Sequence, residues 1–99
     1  MTTITKIISD LKTASHPIAR ALHKGEHFKV LMLGFNKGML LKDHKAHITS
    51  KLTVLYGSVI YKKDNKEIKL LQYDEVEIPI EIIHSVEAIE DSLCILTQG

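Results

Sequence analysis

Hydrophobic residues change their spacing once along this chain, near Pro17. From Ile4 to Leu11 they fall at Ile4, Ile7, Ile8 and Leu11, the stripe of a short amphipathic helix. Ser15, His16 and Pro17 end it, because the residue before a proline avoids helical backbone. Two helical turns are not stable alone, so this helix is expected to dock on the domain or on a partner. From Ile18 onward the period drops toward two. Ile18–His23 alternates, Lys24-Gly25-Glu26 reads as a turn, and His27–Phe35 is a strand apolar on both faces in its middle. Asn36-Lys37-Gly38 turns the chain into Met39–His44. Lys51–Tyr56 then alternates, with Leu52, Val54 and Tyr56 on one face. Gly57 breaks the pattern, Ser58–Lys62 resumes it, and Lys63–Lys66 is a charged hairpin tip answered by Glu67–Leu71. Val76–Pro79, Ile83–Ala88 and Leu93–Thr97 complete the series, with Pro79 confined to a strand end or edge. Roughly eight or nine short strands with regularly spaced turns predict an all-β sandwich or barrel.

Composition sharpens that picture little but excludes a good deal. Ninety-nine residues, 44% hydrophobic and 25% charged, suit one folded domain rather than a disordered chain. Thirteen basic and twelve acidic residues give a formal charge of +1 with no basic stripe, which argues against a nucleic-acid partner. No apolar run is long enough to span a membrane, and the first residues lack the features of a signal peptide. The lone Cys94 lies in an apolar run and reads as a buried core residue; with no partner for a disulfide, a reducing cytoplasmic location is expected. The mixed charges of Lys62–Lys69 read as a solvated hairpin. A domain this small gains from pairing, so a homodimer is expected.

The candidate chemistry lies in the histidines. His16, His23 and His27 stand near turns or strand ends and read as surface residues. His44 and His84 are flanked by apolar strand residues, so burial is expected, and imidazole is the commonest metal ligand. On a regular strand His47 points away from the face shared by residues 44 and 46, and reaches the interior only through a bulge or bend. No nucleophile–base pair emerges from Ser50, Ser58 or Ser85; Ser85 falls on the face opposite His84.

Gly38, five residues, His44, then Gly57 thirteen positions later resembles the first cupin motif, G-x5-H-x-H-x(3,4)-E-x6-G. Tyr73, five residues, Pro79, then His84 five further on resembles the second, G-x5-P-x-G-x2-H-x3-N. The resemblance covers residues 27 to 97. It implies a double-stranded β-helix, a cupin jelly-roll barrel with a short N-terminal helix. Residues 1–16 would form the helix and lead-in and residues 18–98 the barrel of a single domain spanning 1–99. The motif's second histidine falls on Ala46 and its glutamate on Ser50. The second motif's glycines fall on Tyr73 and Glu81, and its asparagine on Ala88. Two readings follow. In one, the barrel binds a small molecule in a pocket lined by Leu52, Val54 and Tyr56, without metal. In the other, His44, His47 and His84 hold a divalent metal (Zn, Ni, Fe or Mn) for an enzyme acting on a small organic substrate. A third, purely structural dimeric barrel leaves both histidines as satisfied core residues.

Overall fold

The computed structural model describes residues 2–99, apart from the side chains of Asp43 and His44. The helix α1 spans Thr3–Leu11. Nine strands follow: β1 Ile18–Lys24, β2 Lys29–Phe35, β3 Leu40–His44, β4 Ser50–Tyr56, β5 Val59–Lys63, β6 Lys66–Leu70, β7 Glu75–Ile78, β8 His84–Ala88 and β9 Ser92–Gln98. Each predicted strand is present, with ends shifted by a residue or two. They form two antiparallel sheets, one ordered β1-β2-β9-β4-β7 and the other β3-β8-β5-β6. The order of strands alternates between distant parts of the sequence, as expected of a jelly roll.

The core lies between the sheets. Leu33, Phe35, Leu52, Val54 and Cys94 come from the first sheet, and Val59, Tyr61, Leu70, Val86 and Ala88 from the second. The apolar middle of β2 explains itself here. Leu33 and Phe35 face the core, whereas Met32 joins a second cluster with Ile7 and Leu11 of α1. The first sheet is therefore covered on both faces, by the second sheet on one side and partly by the helix on the other. Gly34 lets α1 lie close: a Cβ there would come within 2.5 Å of the Ile7 side chain. Asp10 fastens the helix, accepting from Arg20 Nη2 at 2.6 Å and from Lys6 Nζ at 3.0 Å. Cys94 is fully buried, and that burial pushes its thiol up to about 12, so it stays protonated and inert.

The turns divide between two ends of the barrel. At one end the chain reverses at Gly57-Ser58, at 71–74 and at 89–91. The Ser92 hydroxyl accepts from the Ser58 N–H at 3.1 Å and donates to the Glu90 carbonyl at 2.8 Å. The Ser58 hydroxyl donates to Glu90 Oε2 at 2.7 Å. Gly57 has φ +83, and a Cβ there would sit 2.3 Å from the Asp91 carbonyl oxygen. The opposite end carries the 45–49 and 79–83 loops and the β5–β6 hairpin. That hairpin turns through Asp64 (φ 46) and Asn65 (φ 62), the type I′ geometry that matches strand twist.

Gly57→Ala should destabilise the protein by at least about 2 kcal/mol in urea unfolding, since it adds left-handed strain to a backbone collision. Arg20 first, then Lys6, holds the Asp10 carboxyl below its ordinary 3.8. That stabilisation is present above pH 3.8 and lost as pH falls through the lowered folded value. Hydrogen exchange should accordingly show α1 amides losing protection below pH 3.8, with Asp10→Asn lacking this part of the acid sensitivity.

Candidate functional site

The second sheet carries its polar groups at the hairpin end of its inner face. Alternation along β5 places Val59, Tyr61 and Lys63 on that face, and the ladder sets Tyr61 opposite Val86 and Lys63 opposite His84. The Tyr61 and His84 rings lie 5.7 Å apart at 42°. His84 is 3% exposed, and its Nδ1–H donates to the Ile82 carbonyl at 3.2 Å. This bond sets the ring's orientation and, in the neutral form, leaves the lone pair on Nε2. Tyr61 is wholly buried, yet its hydroxyl has no hydrogen-bond partner among the described residues. Burial, then the nearby Asp64 carboxylate, pushes the phenol above its ordinary value, so the group remains an O–H donor. A cavity of about 720 Å³ opens at this end of the sheet, lined by Lys63, Lys66 and His84 from the inner face, by Lys62, Glu67 and Ser85 from the outer one and by the Asp64–Asn65 turn; Tyr61 is not part of the lining.

The residues singled out in the sequence scatter around this site. His44 is the ladder partner of His84 across β3 and β8, after an irregularity that follows Leu41. Its side chain lies outside the described residues. His47 lies at the surface, its side chain 78% exposed. Ala46 bridges to Ile80, accepts from the Glu81 N–H at 2.9 Å and turns into the core. The next side chain therefore points outward, and His47 Nδ1–H donates to Glu81 Oε1 at 2.6 Å. Leu52 and Val54 are packed in the core, 1% and 0% exposed, whereas Tyr56 is 59% exposed. A register shift between Val54 and Tyr56 breaks the alternation that would have kept the three together. Tyr56 instead borders an outer groove of about 600 Å³ beside α1. His16, His23 and His27 are exposed.

The backbone of both motifs is intact where their side chains are not. Gly38 (φ 85) and Gly57 (φ 83) take left-handed backbone, and so do Tyr73 (φ 73) and Glu81 (φ 64), which stand where the second motif has glycine. Tyr73 occupies the third position of a turn closed by the Asp74 N–H on the Leu71 carbonyl at 2.9 Å, a place that favours glycine. No protein-family model and no curated protein matches the sequence. Solved structures do. A cupin superfamily protein from Desulfitobacterium hafniense superposes with a TM-score of 0.79 at 15% identity, over 85% of this chain and 77% of that one. An RmlC-like cupin from Desulfovibrio desulfuricans gives 0.76 at 24% identity, over 83% and 80%. A cupin 2 conserved barrel domain protein from Leptotrichia buccalis gives 0.78 at 25% identity, over 87% of this chain but only 42% of that one. The chain has the cupin fold.

Within this cupin fold, the described side chains do not fit the motif's set of three histidines and one glutamate. Ala46 and the Ser50 hydroxyl, which donates to the Ile48 carbonyl at 3.0 Å, occupy two donor places. His47 is engaged by Glu81, and among the described residues no three His, Cys, Asp or Glu side chains form a metal-holding group. Tyr61 is the polar residue that sequence reasoning missed. Its signal was the Val59–Tyr61 alternation, but only the pairing of β5 with β8 brings that face to His84.

Tyr73→Gly should stabilise the protein by about 0.5–1 kcal/mol, because relief of left-handed strain exceeds glycine's entropic cost. Tyr73→Ala, which keeps the strain, should bring no gain in the same urea titration.

Proposed function

We propose that this cupin binds a small polar molecule in the hairpin end of its barrel without requiring a metal. The observation that carries the reading is the Tyr61 hydroxyl, fully buried beside a buried imidazole and without a hydrogen-bond partner among the described residues. Leaving such a group unsatisfied costs about 1–3 kcal/mol. A ligand acceptor atom would remove that cost, and His84 would add a second polar contact to orient it. A homodimer in the cytoplasm is part of the same proposal, its oligomeric state open to sedimentation analysis.

A metal-dependent cupin enzyme is the second reading. The ladder pairing of His44 with His84 favours it. Metal analysis of untagged protein separates the two: stoichiometric Zn, Ni, Fe or Mn would replace the first reading with the second.

Tyr61→Phe tests the first reading from both sides. The ligand-free variant should be more stable than the parent by about 1 kcal/mol, since it removes a buried hydroxyl that lacks a partner among the described residues. It should also lose the thermal stabilisation that organic acids, sugars or sugar phosphates confer on the parent. Ligand stabilisation undiminished in both Tyr61→Phe and His84→Leu would move the site elsewhere.

A further inference from the structure

We propose that the molecule held beside the β5–β6 hairpin is an anion, bound through a carboxylate or phosphate group by Lys63 and Lys66. The inference rests on the reading that this end of the barrel holds a small molecule, and it assigns that molecule's charge.

The inner face of the second sheet changes character row by row. Val59 pairs with Leu70 and Ala88, and Tyr61 with Ile68 and Val86. The last row is basic throughout: Lys63 stands opposite Lys66 on one side and His84 on the other. Like charges directly opposed across a ladder disfavour the pairing. Nothing on this face relieves them, for among the described residues Lys63 and Lys66 make no ion pair. The outer face is arranged differently. There Lys62 donates to Glu87 at 2.7 Å and lies 3.8 Å from Glu67, so its charge is answered within the protein.

The carboxylates near the cavity do not reverse this balance. Asp64 and Glu67 both line the cavity, Glu67 3.8 Å from Lys62, which leaves three lysines there against two carboxylates. Lys63 is half-buried, which strengthens its attraction for an anion relative to a fully hydrated lysine. An oxyanion accepts from two ammonium groups without offering any donor in return. That matches what this surface presents, because ammonium nitrogens only donate. A cavity of about 720 Å³ has room for a small organic acid or a phosphorylated sugar.

The test uses isotope-labelled full-length protein, titrated separately with inorganic phosphate, succinate and the neutral polyol sorbitol while backbone amide shifts are followed. Phosphate, succinate or both should shift the amides of Tyr61, Lys63 and His84, and sorbitol should not. Which anion binds more tightly distinguishes the phosphate from the carboxylate source. Lys63→Met and Lys66→Met should each weaken the anion about tenfold. Anion affinity unchanged in both variants would overturn the assignment. Shifts with sorbitol but with neither anion would overturn the charge while leaving small-molecule binding in place. No shift with any of the three, together with an unpartnered Tyr61 in a full metabolite screen, would remove both.

Discussion

Folding two sheets over one core requires the chain to reverse repeatedly in little space, and several of those reversals need backbone that L-residues resist. Gly57 shows why the requirement is strict. Its neighbours across the gap are the backbone of Asp91 and the side chain of Ser92, so the turn has neither conformational nor steric room for a Cβ. The Ser58, Glu90 and Ser92 hydrogen bonds then tie this reversal to the one at the start of β9. With this end closed, the polar residues that end or begin β5, β6 and β8 gather at the other. The candidate site is thus a product of how the strands terminate rather than of any single sequence motif.

The same backbone demand persists where glycine has been replaced. Tyr73 and Glu81 hold left-handed conformations at a local cost of about 1–2 kcal/mol each. Two-sided burial of the first sheet, with Met32 against α1 and Phe35 in the core, supplies the cohesion that tolerates such strain. Glu81 also draws His47 to itself, and one exposed pair thereby joins the 45–49 and 79–83 loops.

Much of this architecture was readable beforehand. Period-two alternation and turn chemistry located all nine strands, and the helical stripe located α1, because burial of one face imposes those periods directly. Tyr56 was misplaced because the irregularity after Val54 leaves no mark in a list of hydrophobic positions. His47 followed strand parity, with Ala46 turned inward and the histidine outward, a consequence of geometry that the motif comparison alone obscured. Tyr61 escaped notice for another reason. A tyrosine in an alternating strand looks like ordinary core, and its orphaned hydroxyl exists only once the neighbouring strand is known to be β8. The basic row was hidden likewise: the mixed charges of Lys62–Lys69 average out along the sequence and separate only when pleating sorts them onto two faces.

The position of β6 at the free edge of its sheet has a bearing on how the protein behaves in a crowded solution. An edge strand offers unpaired backbone groups to any other extended chain, including copies of itself. Lys66, Glu67 and Lys69 occupy three of the five residues along that edge, and a second strand approaching it must desolvate and oppose those charges. At the far edge of the other sheet, β7 is only four residues long, carries Glu75 and Glu77, and is followed at once by Pro79. Of the four sheet edges, these two are thereby poor templates for β-aggregation.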